Sequence, residues 1–394
     1  MSTSKPDNDH PYLSPVIPAP TELGRLRIMA AHNALRVSPL QLGAMSIGEA
    51  WKGVMGSMDK ESSFKLMDAY AAAGGNVIDT ASAYQNDQSE LWIGEWMKAR
   101  GNRDQILIST KFTMDYQAYR VGKGKTPNTA GNGRRSIRLT LRDSLKKLQT
   151  DFVDIFYLHY WDYTTSIKEI MDTLHSLVES GQVLYLGVSD TPAWIVAAAN
   201  TYAIENGKTP FSVYQGRWNV AARDVEREII PVVRYFGMAF CAWDSMGGGQ
   251  WQTKKQIEER RRNNEKLRSM VGSGEEQSPQ NIAISAALEK VAAEVNSESI
   301  QAVALAYLFA KGEQLQINVF PIVGGRKVEH LNSNISALSI SLSREQVEYL
   351  ESVTDFNPDF LYSTFGPDPN LDPTNNASIV KQTGTFKFPM PFRP

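Results

Sequence analysis

Cysteine is almost absent: Cys241 is the only one in 394 residues. A single cysteine closes no internal disulfide and supplies no cysteine-rich zinc site, which suits a reducing compartment. An excess of one charge is also missing, since 41 Lys and Arg stand against 43 Asp and Glu. With no cationic surplus to neutralise phosphates, a nucleic-acid partner is not expected. Nor is there a long hydrophobic run. The first twenty residues are polar and proline-rich, without the apolar centre of a signal peptide. Ala302 to Ala310 falls well short of the ~20 apolar residues that span a bilayer. The expectation is a cytoplasmic protein with no membrane partner.

What the chain does contain is an alternation. Apolar, β-branched runs recur at Leu40–Leu42, Asn76–Ile78, Ile106–Thr110, Val153–Leu158, Val183–Val188, Phe211–Tyr214, Met238–Ala242 and Ile317–Val323. Helical periodicity fills gaps between them, at Ser63 to Ala73, Ile137 to Leu148, Ser166 to Glu179 and Ala193 to Ile204. Strands alternating with helices argue for parallel βαβ units, either an open doubly wound sheet or a closed barrel. A dinucleotide-binding open sheet carries GxGxxG after its first strand, and Leu42 to Gly48 lacks that spacing. Eight units with none missing favour an α/β fold of the (β/α)8 TIM-barrel type.

Three segments lie outside the alternation. Residues 21–37, around His32 and Asn33, read as an N-terminal hairpin closing one end of the barrel. Residues 247–282, opening Gly247-Gly248-Gly249 and running through the charged stretch Lys254 to Arg268, read as an inserted flap after strand seven with one solvated helix. Arg260, Arg261 and Arg262 are expected on its solvated face. Residues 355–394 are rich in Pro, Phe and Tyr without periodicity. The expected division is a loose segment over 1–20, the barrel with its flap over 21–354, and a C-terminal loop or tail over 355–394. So many aromatics are not expected to be simply solvated. The tail either crosses the barrel mouth as a pocket wall or packs on the outside.

In a parallel barrel, active sites form at the C-terminal strand ends. Strand two ends in Asp79, with Tyr84 five residues on; strand three ends in Lys111 and strand four in His159. Strands five to seven end in Ser189-Asp190, Gln215 and Trp243-Asp244, and strand eight leads into Gly325, Arg326 and Lys327. A tyrosine is a sluggish proton shuttle near neutral pH, and a neighbouring ammonium favours its phenolate. Lys111 can supply that charge, Asp79 can hold Lys111, and His159 can polarise a substrate oxygen. Such a set donates a proton to a forming alkoxide, while the hydride must come from a cofactor. A metal-dependent hydrolase would need several histidines at strand ends, and only His159 qualifies; no metal is expected. The stretch Gly122 to Thr126 is no phosphate loop, because GxxxxGK[ST] would require glycine where Tyr119 stands.

At these residues the sequence resembles the aldo-keto reductases, over roughly residues 38 to 350. The motifs are Asn76 to Ala81 with Tyr84, Ser89-Glu90, Ser109-Thr110-Lys111, Tyr157-Leu158-His159 and Gly187-Val188-Ser189, in family order. The stretch Gly187 to Trp194 and the loop Asp244 to Gly249 resemble the fungal aryl-alcohol dehydrogenase and norsolorinic acid reductase branch. The resemblance implies Tyr84 as proton donor, Asp79 and Lys111 as its tuning pair, and His159 as ligand of the substrate oxygen. It implies that Ser189, Asp190 and Gln215 meet the carboxamide of a nicotinamide and that Trp243 stacks on its ring. Asp190 stands where many members have Asn, and a carboxylate there can only accept a hydrogen bond. Asp79 also contacts the cofactor in this scheme, and Asp244, Ser245, Met246 and Gly247 line it. Gly325, Arg326, Lys327, His330 and Asn334 would hold its adenosine end. Two adjacent cations suit a 2′-phosphate, so NADP(H) is the expected cofactor. Trp51, Tyr116, Tyr160, Trp161 and Trp218 are candidates for an apolar substrate pocket, with Trp51, Tyr160 and Trp161 foremost. The function implied is interconversion of an aldehyde or ketone with its alcohol, on an aryl or polyketide-like small molecule of secondary metabolism. The alternative is a catalytically slow, nucleotide-sensing subunit of the same family.

Overall fold

The chain is described by a computed structural model over residues 16–55, 58–262, 276–371 and 376–384. Residues 1–15 of the N-terminal segment, 263–275 of the flap, and Phe386, Phe388 and Phe392 of the tail lie outside the described residues. Among the described residues no helix is long and apolar enough to cross a membrane.

Two antiparallel strands come first, β1 (Arg27–Ala30) and β2 (Asn33–Val37). Seven parallel strands follow in sequence order: β3 (Gln41–Gly43), β4 (Val77–Asp79), β5 (Leu107–Phe112), β6 (Val153–Leu158), β7 (Val183–Ser189), β8 (Phe211–Arg217) and β9 (Ala239–Trp243). The eighth strand, expected as one run, is two short pieces. β10 (Asn318–Val319) pairs with β9, and β11 (Ile322–Val323) pairs with β3. The break falls at Phe320 and Pro321. Proline has no N–H to give a ladder, while its carbonyl still accepts from Gln41 N at 3.0 Å. Phe320 bonds β9 on the other side, donating to Phe240 O at 2.8 Å. The segment thus changes partner as it passes between first and last strands, and the eight positions close into a (β/α)8 barrel.

The expected helices are present as Lys60–Ala72, Arg134–Leu148, Ile167–Glu179 and Ala193–Glu205. Ser166 begins the third by accepting from Glu169 N at 3.2 Å, which satisfies one of the donors left open at a helix start. The second buries Ile137, Leu141, Leu145 and Leu148 against the strands, whereas Leu139 lies at the margin of that face. Val153–Leu158 is buried at every position, as a strand covered on both sides requires. The run Ala302 to Ala310 is part of the core helix Ile300–Gln314.

Two-residue periodicity sorts each strand into a helix-facing and a barrel-facing row. The barrel interior holds Val77, Ile155, Tyr157, Val213, Ala239, Cys241 and Phe320, and Met29, Ala30 and Val37 of the hairpin pack against its lower end. Tyr157 fills the middle so completely that a Cβ on Gly187 would lie 2.4 Å from its ring. Carrying the inward row one step toward the C-terminal ends reaches Asp79, Lys111, His159, Ser189, Gln215 and Trp243. Strand alternation alone therefore turns six polar or aromatic side chains to the same mouth.

The flap carries the helix Lys254–Arg262, which buries none of its residues. Described contacts of the C-terminal segment run to the outer flank. Phe356 lies under Arg223 (4.3 Å) and Arg227 (5.1 Å), Arg227 donates to Asn357 O at 2.8 Å, and Tyr362 donates to Arg227 O at 2.6 Å. Arg234 pairs with Asp368. Of the two alternatives for the tail, the packing one describes these contacts.

Candidate active site

Lys111 is fully buried at the end of β5, and its ammonium donates to Asp79 Oδ1 at 2.6 Å and to the Thr80 carbonyl at 2.8 Å. Asp79 is held on its other oxygen by Ser109 Oγ (2.9 Å) and Gln215 Nε2 (3.0 Å). Burial is the largest single effect and works against the ammonium, but the charges and hydrogen bonds of Asp79 and Tyr84 together hold the Lys111 pKa above its ordinary value. The same ammonium lies 5.3 Å from the centre of the Tyr84 ring. Sequence reasoning expects Lys111 to pull the Tyr84 pKa down. It does pull, but burial is the larger effect and the phenol's pKa stands above its ordinary value. In the resting site Tyr84 keeps its proton.

Tyr84 reaches this position on a loop bent hard by three successive residues at positive φ, Gln85 (53°), Asn86 (52°) and Asp87 (76°). Left-handed conformations cost L-residues roughly 1–2 kcal/mol each, so the bend requires compensation. Gln85 Oε1 accepts from Trp51 N at 2.8 Å and Asn86 Oδ1 from Trp51 Nε1 at 3.1 Å. Asp87 pairs with the largely buried Lys147 at 2.8 Å. One result is that Trp51 lies edge-on to Tyr84, ring centres 6.2 Å apart. On the other side His159 meets Tyr84 at 5.9 Å, and Tyr160 flanks His159 at 6.0 Å. His159 Nδ1 is buried with no hydrogen-bond partner among the described residues. Desolvation, then the charge of Lys111, drives the imidazole pKa down to about 3, so the ring is neutral near pH 7.

The remaining candidates divide. Ser189 and Gln215 are buried at the ends of β7 and β8. Asp190 (φ 39°) accepts from Trp243 Nε1 at 3.1 Å, joining the ends of β7 and β9. Asp244 pairs with Arg217 at 2.7 Å, Ser245 donates to Ala242 O at 2.7 Å, and Met246 packs on the core. Gly247 (φ 65°) passes so close to Trp251 that a Cβ would lie 2.5 Å from the indole. Beyond β11, Gly325 is half-buried, and Arg326, Lys327 and His330 are exposed where the helix Val328–Ile335 begins. Asn334 is buried further along it. Partial burial and then the charges of Lys327, Arg260 and Arg326 hold the His330 pKa down. Arg260 of the flap helix thus lies within electrostatic range of this group.

Of the five aromatics, Trp51 and Tyr160 adjoin the catalytic candidates. The other three do not. Trp161 turns to the helix layer and meets Tyr163 at 6.4 Å; Tyr116 donates to Asp143; Trp218 donates to Glu226. Aromatic content alone does not record these partners. Ser109 joins the site through Asp79, as its place two residues before Lys111 on the same face allows. Among the described residues no three His, Cys, Asp or Glu side chains are grouped to hold a metal.

Residues 39–355 match the description of the aldo/keto reductase family. The chain belongs to that family. Among its relatives, an aldo-keto reductase of Emericella nidulans is 56% identical over 369 residues, 94% of this chain and 91% of its own. An NADP(+) aryl-alcohol dehydrogenase of Phanerodontia chrysosporium is 49% identical over 358 residues, 90% of this chain and 92% of its own. A norsolorinic acid reductase of Aspergillus flavus is 44% identical over 341 residues, 86% of this chain and 84% of its own. The resemblance to this fungal branch is thus borne out, and the chain is an oxidoreductase of carbonyl and alcohol groups.

Proposed function

We propose that this chain interconverts an aryl or polyketide-like aldehyde or ketone and its alcohol, using NADP(H). The observation carrying the reading is Lys111, buried between the Asp79 carboxylate and the Tyr84 phenol, with an unprotonated His159 on the phenol's other side. Tyr84 holds its proton until a substrate oxygen gains negative charge, then donates it. The phenolate left behind is stabilised by Lys111, a charge already in place at no cost of reorganisation. Asp79 holds Lys111 at the correct point, and Ser109 and Gln215 hold Asp79. Neutral His159 offers a ring N–H to the same oxygen without competing as an acid. Trp51 and Tyr160 give this oxygen's carrier an aromatic wall, which suits a flat substrate.

A bound nicotinamide supplies the hydride that no side chain can provide. The residues fit such a group. Arg326 and Lys327 make no ion pair among the described residues, and they stand with His330 at a helix start, where unpaired N–H groups favour anions. In this reading Gly325, Arg326, Lys327, His330 and Asn334 take the adenosine phosphate end. Asp244, Ser245, Met246 and Gly247 line the middle, and Asp79, Ser189, Asp190, Gln215 and Trp243 receive the nicotinamide end. The relative named for NADP(+) supports the choice of cofactor, and those named for aryl alcohols and norsolorinic acid support the substrate class.

The test is a screen of aromatic aldehydes, quinoid ketones and their alcohols, following NADPH absorbance, with Tyr84→Phe beside the wild type. Removing the hydroxyl is expected to lower kcat by about 10²-fold or more, the usual scale for a general acid, with NADPH affinity unchanged. Turnover undiminished in the variant would make another group the acid. No turnover by the wild type would favour a slow nucleotide-sensing role.

A further inference from the structure

Thr113, two residues beyond Lys111, has φ 96°. Glycine takes that conformation freely, whereas for a β-branched residue it is a genuine outlier. Strain of this kind persists only where surrounding bonds over-determine it, and here they are specific. Thr113 Oγ1 donates to Asn132 Oδ1 at 2.6 Å and accepts from His159 N at 3.3 Å. Asn132 Nδ2 donates to Tyr160 O at 3.1 Å, and Asn132 N donates to Asp162 Oδ2 at 2.7 Å. Gly131 N closes the ring on Thr113 O at 2.7 Å. Gly131 is needed there, because a Cβ would lie 2.8 Å from Asp162 Oδ2. Thr113 and Asn132 are 1% and 0% exposed, so water is a poor substitute for any of these bonds.

The two side chains grip the N–H of His159 and the carbonyl of Tyr160, bracketing the His159 backbone. The imidazole lacks a comparable support, since its buried Nδ1 has no partner among the described residues. A histidine whose ring is not held by a carboxylate or carbonyl depends on its backbone for aim. We propose that Thr113 and Asn132 are positioning residues for His159, and that the strained threonine is retained in a glycine-like conformation because only its hydroxyl completes the clamp. This rests on the reading of His159 as ligand of the substrate oxygen.

The test compares Thr113→Val, which keeps shape and strain but loses the hydroxyl, with Thr113→Gly, which relieves strain and loses it, and Thr113→Ser, which keeps it. Valine and glycine variants are expected to lose about 10- to 100-fold in kcat on an aromatic aldehyde, the scale of a misplaced catalytic group. Their NADPH Kd stays at the wild-type value, and Thr113→Ser recovers most of the rate. The glycine variant keeps or gains Tm while losing rate, which a purely structural role does not produce. The His159 ring signals in a histidine-selective NMR spectrum, assigned with His159→Asn, shift or broaden in the valine and glycine variants. Wild-type kcat with unmoved ring signals in both variants overturns the clamp. A wild type with no carbonyl turnover would instead sink the functional reading, and the ring signals would still judge the clamp.

Discussion

Two of the buried charge groups among the described residues differ in what they leave open. On the outer flank, Arg223 pairs with Glu226 (2.9 Å) and Glu351 (3.1 Å), and Lys311 with Glu351 (2.8 Å) and Glu226 (3.4 Å). Tyr307 donates to Glu351 at 3.0 Å and Trp218 to Glu226 at 3.0 Å. Two cations face two carboxylates, and the aromatic donors are used up. At the mouth, Lys111 and Asp79 are equally well paired, yet His159 Nδ1 is buried without a partner and the Tyr84 phenol is not held by a carboxylate. Buried polar groups are normally satisfied. The flank obeys that rule and the mouth departs from it at His159, which supports the proposed ligand site there. A perturbed pKa alone would not separate them, because both clusters contain one.

The largest expected effect breaks the closed cluster. Glu226→Gln leaves Arg223 and Lys311 with one carboxylate between them, and removing a partner from a buried pair costs about 3–5 kcal/mol. Denaturant unfolding should show a loss on that scale, while kcat per folded molecule stays unchanged. Because Phe356 lies under Arg223, proteolysis within residues 355–371 should also accelerate. A fall in kcat at constant folded fraction would mean that the flank cluster serves the reaction after all.

A second, smaller effect sharpens the contrast from the other side. Arg326 and Lys327 are unpaired among the described residues and should cost little stability when removed. Replacing both by Ala is expected to weaken NADPH binding by roughly 2–4 kcal/mol, taking ~1.5–3 for a hydrogen bond to charge and allowing for screening. Calorimetric titration should find NADH nearly unaffected and Tm nearly constant. Equal losses for both cofactors would move the 2′-phosphate site elsewhere.

How much of this was readable in the chain follows from the range of each signal. Central strands such as Val153–Leu158 are legible because both faces are buried, so they read as unbroken apolar runs. The catalytic candidates are legible because Asp79, Lys111 and His159 stand at the ends of three successive strands and Tyr84 follows the first of them by five residues. The split of the eighth strand depends on which neighbour each half of 318–323 meets, which no local pattern records. The partners of Trp161 and Trp218 are set by tertiary packing, which proximity to His159 in sequence does not record. Thr113 and Asn132 are 19 residues apart, and nothing in either neighbourhood announces a positive φ at a threonine. A run of arginines reads as a solvated face, and the influence of Arg260 on His330 depends on the fold of the flap.

The smallest expected effect concerns acid stability, and its pH window distinguishes the two clusters. His159 has a folded pKa of about 3, below the ordinary 6.5 that it regains on unfolding. Between these values the unfolded chain binds a proton that the folded chain refuses, so stability falls as pH drops through that window. Glu226 behaves differently. Burial alone would raise its pKa, but Arg223 and Lys311 hold it below the ordinary value, so its contribution is present near neutrality and lost only in stronger acid. His159→Asn removes the first of these and leaves the second. From about pH 7 to about pH 5 the Tm of the variant should therefore decline less steeply than that of the wild type. Parallel Tm profiles for the two proteins across that range would mean that the His159 ring finds a proton partner in the folded site, and the mouth would then be as closed as the flank.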